Sequence, residues 1–504
     1  MTASESRMED TAVAPPSSRL SPFQRLSILC DSGTLHPIRS DIRSRTMGDA
    51  RPGDGVVGAA GMINGRPVFC FAQDATFLGG SLGEAHADTV VRVLELASRA
   101  QIPVIGCIES AGARMQEGVG ALGGYSRIFF HHVALSGLAP QISIVSGSSA
   151  GGGSYAPALT DFTVMVEDAC MFLTGPAVVR EVTHEDVTAA ELGGVRVQER
   201  NGVCQFAAPG FAEAVDLARE LLQYLPQNSG ELPPKFDPEP PEPGDPGDCL
   251  PEQARRTYDV RAVIRRLVDG GRSLEFGPKW APNLVTAFAR IDGRSVGIVA
   301  NQPRHAGGTL DAESSEKGAR FVNTCDAFRL PVVVLVDTPG FMPGTKQERQ
   351  GVIRRGAALV RAFAMATVPR VTVITRRAYG GAYITMNSKD LGAHFAFAWT
   401  GAEIGVMGAA QAINFIHRRE IAAAEDETAT RAALADAYAH DHISAAAAAR
   451  AGFIDEVIRP CDTRSRLAWS LQMLSSRRRR SSDPPASERG AVGRNHEFAN
   501  LWRV

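Results

Sequence analysis

The chain has 504 residues, of which 44% are hydrophobic and 21% are charged, a balance typical of a globular protein with two or more domains. Its formal net charge of −2 produces no field that would favour nucleic acid or an anionic membrane surface. No apolar run approaches the roughly 20 residues that a membrane-spanning helix needs, and the N-terminus lacks the apolar core of a signal peptide. The 8 cysteines form no Cys-x-x-Cys pair, so we expect reduced thiols, a cytoplasmic location and no metal site.

Composition divides the chain into five segments. Residues 1–18 have the composition of a disordered tail, and residues 225–251, rich in proline, glycine and acidic groups, predict an extended linker. We therefore expect one domain at 19–224 and a second at 252–472. The remaining residues, 473–504, include four consecutive arginines and predict a basic, solvated tail.

The first half alternates predicted strands and helices. A glycine pair at 79–80 precedes an amphipathic helical stretch, and the apolar strand IPVIGCIES then leads into Glu109 and Gly112. A second apolar strand, ISIVSGSSAGG, ends at the glycine pair 151–152, which opens another helix. This alternation predicts an α/β fold with mostly parallel strands and with ligands at their carboxyl ends.

The second half repeats the pattern. A glycine pair at 307–308 precedes a helix, the strand LPVVVLVDT leads into Asp337 and Gly340, and VTVITRRAYGG ends at the pair 380–381. The separation from the first half is 228 residues at the first glycine pair and 229 at the second. Landmarks that recur in order with so little drift predict two copies of one α/β unit, an internal duplication.

A glycine pair at the end of a buried strand, where a helix begins, presents a cluster of backbone N–H groups. With no lysine or metal ligand beside it, its natural guest is a developing oxyanion. Two copies predict two oxyanion holes, which suits a reaction with two enolate-like partners. The sequence contains neither a Gly-x-Ser-x-Gly elbow nor a His-Glu-x-x-His motif, and we interpret Glu109 and Asp337 as turn-capping residues rather than catalytic ones.

A set of motifs carries a resemblance to a known family, among them ESAGARMQEGV, SGSSAGGGSYAPALTDF, LVDTPGFMPGTKQE and AWTGAEIGVMGAAQA. Over about residues 20–470 the chain resembles the carboxyltransferase β subunits of biotin-dependent acyl-CoA carboxylases, the acetyl-/propionyl-CoA carboxylase type. The resemblance implies a tandem crotonase-like (ClpP/crotonase) fold, which the internal repeat also indicates.

The resemblance also implies the reaction. Carboxybiotin on a carrier protein releases CO2 in the site, the biotin anion takes the α-proton of an acyl-CoA, and the thioester enolate attacks CO2. Carried onto this sequence, the amides of Gly151 and Gly152 hold the thioester oxyanion. The amides of Gly381 and Ala382 hold the ureido oxygen of biotin.

Further positions are implied to bind the substrate: Gly112, Ala113, Gly380, Tyr383 and Ile384. At the position of Ile384, an aspartate accompanies preference for propionyl-CoA in the family, and an aliphatic residue accompanies a broader range that includes acetyl-CoA. Ile384 therefore favours acetyl-CoA, with propionyl-CoA accepted.

The expected partners follow from the same resemblance. The chain has no biotinyl-lysine motif and no ATP-grasp region, so we expect a separate biotin carboxylase and biotin carrier subunit. Members of the family form hexamers in which each site lies between the N-terminal half of one subunit and the C-terminal half of another. The four-cysteine zinc ribbon of the split-subunit relatives is absent, and no metal is expected.

Departures from the family pattern leave other interpretations open. Arg349 and Gln350 replace an aromatic residue and a glycine, and Val197 and Gln198 replace a Thr-His pair. One alternative is a decarboxylase component that passes CO2 from a malonyl-type thioester to biotin. Another is a degenerate subunit that only scaffolds a complex, although the intact glycine pairs argue against it. A crotonase hydratase is disfavoured by the tandem repeat.

Overall fold

The computed structural model describes residues 20–48, 50–253 and 256–475. The predicted N-terminal tail at 1–18 lies outside this part of the chain, as does the predicted basic tail from 476 onward. Residues 473–475 close the last described helix. None of the helices within the described ranges combines the length and the apolar character that crossing a bilayer requires.

Within the described residues, the first half forms an eight-stranded sheet. Its strands are β1 (His36–Ile38), β2 (Val56–Ile63), β3 (Arg66–Gln73), β4 (Val104–Ser110), β5 (Gln141–Ala150), β6 (Phe162–Val166), β7 (Cys170–Phe172) and β8 (Phe206–Ala208). They pair in the order β1-β2-β3-β4-β5-β6-β8, and β7 pairs with the far end of β5. The two pairs formed by β1, β2 and β3 are antiparallel, and the pairs from β3 onward are parallel.

The second half forms another sheet of eight strands in the part of the chain that is described. They are β9 (Ser273–Glu275), β10 (Leu284–Ile291), β11 (Arg294–Asn301), β12 (Val332–Thr338), β13 (Arg370–Tyr379), β14 (Phe395–Trp399), β15 (Glu403–Gly405) and β16 (Glu456–Ile458). The order β9-β10-β11-β12-β13-β14-β16, with β15 on β13, repeats the first sheet strand for strand. The predicted α/β fold with an internal duplication is confirmed.

Helices connect the strands of each half. Those of the first half are α1 (Pro22–Leu29), α2 (Glu84–Ala100), α3 (Val119–Leu135), α4 (Gly152–Ala158), α5 (Pro176–Thr183), α6 (Ala189–Gly193), α7 (Val195–Gln198) and α8 (Phe211–Tyr224). Those of the second half are α9 (Val260–Arg265), α10 (Ala312–Ala327), α11 (Thr345–Arg349), α12 (Val352–Met365), α13 (Gly380–Thr385), α14 (Ala409–Ile416), α15 (Arg418–Ala423), α16 (Glu427–Tyr438), α17 (Ala445–Arg450) and α18 (Thr463–Ser475).

The segment 225–251 begins on the first half, where Ser229 donates its N–H to the Leu138 carbonyl (2.9 Å), and continues on the second half. Phe236 donates its backbone N–H to the carbonyl of Gly293 (N···O 2.9 Å), and the Arg290 guanidinium lies 3.9 Å from the centre of the Phe236 ring. A short 3₁₀ helix at Pro246–Cys249 closes the segment. This proline-rich stretch therefore packs on the second sheet over part of its length.

A phenylalanine cluster joins the two halves of the chain. Phe162 and Phe206 of the first half lie edge-on to Phe276 of the second, with ring centres 6.4 and 6.1 Å apart. Phe162 also contacts Phe288 at 5.9 Å. Such aromatic contacts contribute beyond the area they bury. The two sheets therefore share one core.

Phe162→Ala tests this shared core. Phe162 is fully buried, so truncation is expected to lower the free energy of unfolding by about 3–5 kcal/mol. Because the ring contacts both halves, the two should lose stability together, in one transition followed by circular dichroism in denaturant. Phe23→Ala, at a half-exposed residue of α1, is the control and should cost less than about 1 kcal/mol. Separate unfolding of the two halves would contradict the shared core.

Candidate active site

The same backbone turn ends β5 in the first sheet and β13 in the second. After β5, Gly151 has φ +57° and α4 begins at Gly152. After β13, Gly380 also has φ +57° and begins α13. This left-handed conformation strains residues with a side chain, so glycine suits both positions. Because β5 and β13 are parallel to their neighbours, both turns lie at the carboxyl edge of a sheet.

In the first turn, the amide of Gly151 does not have the role that the sequence predicted for it. Gly151 donates its N–H to the carbonyl oxygen of Phe172 in β7, with N and O 3.1 Å apart. The Gly151 N–H is therefore used within the fold and does not point to a bound oxyanion. Gly152 begins α4, and a helix supplies no acceptor for the N–H groups of its first residues. A Cβ on Gly152 would lie 2.7 Å from the Tyr125 ring, so glycine is required there as well.

A second loop brings another amide to the first turn. Leu82 donates its N–H to the Gly112 carbonyl (2.8 Å), and Arg114 donates its N–H to the Leu82 carbonyl (2.9 Å). Ala113 lies between these bonds, so its own N–H faces away from Leu82. A Cβ on Gly112 would lie 3.2 Å from the Ala150 carbonyl oxygen, which places this loop against the turn that carries Gly152.

The second half repeats this arrangement. Leu310 bonds the carbonyl of Gly340 (3.0 Å) and accepts from the N–H of Met342 (2.7 Å), on either side of Phe341. Phe341 thus occupies the place of Ala113, and a Cβ on Gly381 would lie 3.9 Å from its ring. Sequence reasoning missed Phe341, although its separation of 228 residues from Ala113 was the available signal.

Three neighbouring residues of α13, at positions 382–384, follow the glycine pair of the second turn. Ala382 is fully buried, and the Tyr383 hydroxyl lies 3.4 Å from the carbonyl of Phe453. Ile384 is 51% exposed, so its side chain does not belong to the core. The structure therefore presents Ile384 on the surface next to the Gly381 turn.

The carboxylates at the strand ends are paired with arginines. Glu109 lies 3.4 Å from the Arg25 guanidinium, and Asp337 lies 2.9 Å from Arg376 and 3.3 Å from Arg377. All but Arg377 are buried. These contacts support the interpretation of both carboxylates as residues that stabilise the turns.

The histidines below the first turn are unsuited to act as bases. Burial lowers the pKa of His86 to about 3 and that of His132 to about 4, so both are neutral near pH 7. The His132 Nδ1 atom lies 2.7 Å from Gln141 Oε1, beside a small cavity that Tyr125 and Gly153 also line. Among the described residues, no group of three or more His, Cys, Asp or Glu side chains could hold a metal ion.

The departures from the family pattern leave the turns intact. Gln198 is buried and donates to the carbonyl of Met171 (2.6 Å), while Asn201 donates to Gln198 Oε1 (2.9 Å). Met171 belongs to β7, whose Phe172 holds the Gly151 amide, so Gln198 supports the turn indirectly. Gln350 has φ −78°, a conformation open to any L-residue.

A model of the carboxyl transferase domain matches residues 15–490. The chain belongs to the carboxyl transferase family. It is 49% identical over 437 residues to a propionyl-CoA carboxylase carboxyltransferase subunit of Haloferax mediterranei, covering 86% of this chain and 85% of that protein. It is 44% identical to the biotin-dependent acetyl-/propionyl-coenzyme A carboxylase beta5 subunit of Mycobacterium tuberculosis strain H37Rv, with 94% and 90% covered. The predicted relationship to the carboxyltransferase β subunits is confirmed.

A solved structure supports the fold. The transcarboxylase 12S hexamer, crystallised with methylmalonyl-coenzyme A and methylmalonic acid, matches with a TM-score of 0.88 at 45% identity. The match covers 91% of this chain and 90% of that one. The expected tandem crotonase-like fold is confirmed, and the protein is a carboxyltransferase.

Proposed function

We propose that this carboxyltransferase is the subunit of a biotin-dependent acyl-CoA carboxylase that carboxylates the α carbon of short acyl-CoA thioesters. Acetyl-CoA would give malonyl-CoA, and propionyl-CoA would give methylmalonyl-CoA. The observation that carries the proposal is the duplicated turn, with Gly151 and Gly380 in the same left-handed conformation. A reaction with two developing oxyanions uses both copies, whereas a scaffold requires neither.

In the first half, the amides of Gly152 and Ala113 would hold the thioester oxygen as the enolate forms. Each amide aimed at such a charge contributes about 3–4 kcal/mol to the transition state, because it requires no reorganisation during the reaction. Gly151 would act through its bond to Phe172, which fixes the turn. Gly112 would keep the Ala113 loop against the turn because it lacks a side chain.

In the second half, the exposed amide of Gly381 would hold the ureido oxygen of biotin, with Gly380, Tyr383 and the buried Ala382, expected from the sequence to offer a second amide, shaping the turn. The residues fit such a ring, because the nearest atoms that a Cβ on Gly381 would meet are 3.9 Å away, on Phe341. Carboxybiotin, delivered by a separate biotin carboxylase and carrier subunit, supplies CO2 and a base for the α-proton. This agrees with the neutral, hydrogen-bonded histidines below the first turn.

Gly381→Pro is expected to abolish biotin-dependent turnover of malonyl-CoA, because proline has no N–H to donate. Gly381 is the second residue of α13, where proline is compatible with the helix, so the fold should persist. The loss is expected to be about 10²–10³-fold in kcat.

Gly381→Ala is the matched control, since it keeps the N–H and its methyl group would meet only the Phe341 ring at 3.9 Å. The kcat of the alanine variant should stay within about tenfold of that of the parent protein, because the added methyl group changes only the wall of the site and the N–H donor is kept. Equal activity of the proline variant and the parent would contradict the second oxyanion hole.

Substrate choice is proposed to depend on Ile384. Its side chain is half-exposed beside the Gly381 turn, where it would contact the acyl group of a thioester bound to the facing half of a second subunit. An apolar, β-branched residue there limits the space for a longer acyl chain without excluding it. This supports acetyl-CoA as the substrate, with propionyl-CoA accepted.

Ile384→Asp is expected to raise the ratio of methylmalonyl-CoA to malonyl-CoA turnover by about tenfold, the scale of discrimination by one methylene group. Ile384→Leu, which removes the β-branch but stays apolar, should change the ratio by less than about threefold and separates shape from charge. The two rates are compared at saturating biotin. An unchanged ratio in the aspartate variant would remove Ile384 from the acyl site.

The protein is proposed to assemble as a homo-hexamer in which a first half of one subunit faces a second half of another. Each half exposes large apolar side chains in the segments that follow the carboxyl ends of its strands, at 71% to 91% of their surface: Met115, Val119 and Val182 in the first half, and Ile353, Val406 and Phe415 in the second. Exposed apolar surface of this kind marks an interaction site. The assembly of the 12S relative as a hexamer supports the same arrangement.

Phe415→Asp is expected to reduce the sedimenting mass, because a carboxylate buried in an apolar interface loses its hydration. Activity should fall with the mass, since each site would need two subunits. Leu232→Asp, at an exposed residue far from the turns in sequence, is the control and should keep the assembly. A Phe415→Asp protein that sediments like the parent would place the interface elsewhere.

A second candidate function runs the same chemistry in the opposite direction, from a malonyl-type thioester to biotin. The similarity to a transcarboxylase crystallised with methylmalonyl-coenzyme A favours it. The same amides would serve, so the direction would be set by the partner subunits. Reconstitution with a biotin carboxylase, ATP and bicarbonate separates the two, since net carboxylation is expected only for the first function.

A further inference from the structure

Arg114 follows Ala113 directly and is almost completely buried, with 1% of its surface exposed. Its guanidinium Nη1 lies 2.6 Å from Asp54 Oδ1 and 2.7 Å from Glu117 Oε1. Its Nη2 donates to the backbone carbonyls of Asp54 (3.2 Å) and Ser81 (3.0 Å). One side chain therefore ties together the turn at 52–55, the loop at 79–83 and the loop that carries Ala113.

The two carboxylates use their remaining oxygens to hold the start of α2. Asp54 Oδ2 accepts the backbone N–H of His86 (3.0 Å), and Glu117 Oε2 accepts that of Glu84 (2.7 Å). Acceptors with negative charge stabilise the N-terminal end of a helix. Ser44 adds a hydroxyl bond to Glu117 Oε1 (3.1 Å). The cluster of Asp54, Arg114 and Glu117 is thus a buried network that joins these loops to the start of α2.

A buried ionic cluster of this kind contributes little net free energy to folding. Burial raises the pKa of Asp54, and the Arg114 guanidinium opposes that shift. Taking two carboxylates and a guanidinium out of water costs several kcal/mol per ion, and well-packed apolar residues often serve stability equally well. The network does, however, fix the positions of the groups it joins.

The second half shows that the fold does not need these ions. Met342 occupies the position equivalent to Arg114. Its N–H donates to the Leu310 carbonyl, as the N–H of Arg114 donates to the Leu82 carbonyl. Gln347 replaces Glu117: its Oε1 accepts the N–H of Ala312 at the start of α10 (2.9 Å). A neutral pair therefore builds the same loop in the second half, and the charged cluster is found in the half proposed to hold the thioester.

We propose that Arg114 is a positioning residue which, held by Asp54 and Glu117, fixes the amide of Ala113 for the enolate oxyanion. This inference rests on the proposed function of the first turn. Arg114 itself would not touch the substrate, because its guanidinium is buried in the protein, where both terminal nitrogens are hydrogen-bonded. Its effect would appear in the rate of enolate formation and not in thioester affinity.

The test compares Arg114→Lys with the parent in biotin-dependent decarboxylation of malonyl-CoA, using free biotin and the full chain. Lysine keeps the charge but cannot reach both carboxylates and both carbonyls from one nitrogen. We expect kcat to fall at least about 100-fold, as for a lost oxyanion donor, while KM stays within about threefold.

A triple variant, D54N/R114M/E117Q, copies the neutral residues of the second half at two of its positions and leaves no buried charge unpaired. It should fold, and its kcat should fall as far as that of Arg114→Lys. Phe162→Leu is the stability control, because Phe162 lies at the amino end of β6, on the opposite edge of the sheet from the turn. It should lower the unfolding midpoint and keep kcat per folded molecule.

Hydrogen exchange of residues 110–118 supplies a readout that does not depend on turnover. The amides of this loop should exchange at least about tenfold faster in Arg114→Lys than in the parent, because local opening limits their exchange. Unchanged exchange and a kcat within about threefold of the parent would overturn the proposal. A parent protein without turnover would instead reject the proposed function, and the exchange comparison would still decide whether Arg114 fixes the loop.

Discussion

The architecture depends on one backbone conformation, a left-handed residue at the point where a buried parallel strand becomes a helix. Gly151 and Gly380 both adopt it, with φ +57°. A side chain would strain either position, and at Gly380 its Cβ would also approach the Val406 carbonyl to 3.2 Å. The conformation reverses the chain sharply, so that the first amides of the following helix lie at the carboxyl edge of the sheet.

Because the fold is duplicated, one chain carries two such turns, one in each half. Each turn is completed by a loop from the preceding strand, carrying Ala113 in one half and Phe341 in the other. The shared phenylalanine core fixes the two sheets relative to each other, while apolar residues in the segments that follow the strand ends stay exposed. The proposed site between two chains would join one turn of each kind, from two different subunits.

Much of the fold was visible in the sequence, because glycine pairs and apolar strands report on backbone constraints that are local. The repeat placed both turns correctly, and the alternation of strands and helices predicted the mostly parallel pairing. Two features depended on contacts distant in sequence and were not predictable. The commitment of the Gly151 amide follows from the pairing of β7 with β5, which brings Phe172 to it. The burial of Arg114 requires Asp54, on a turn from which it is separated by three strands, β2, β3 and β4.

The central claim is that the turns form a working carboxyltransferase site, and one measurement tests it most directly. Purified protein is mixed with malonyl-CoA or methylmalonyl-CoA and free biotin, and release of the decarboxylated thioester is followed with and without biotin. If the turns form a carboxyltransferase site, turnover should require biotin and proceed with both thioesters. A folded, oligomeric protein that decarboxylates neither would contradict it and would favour a scaffolding subunit.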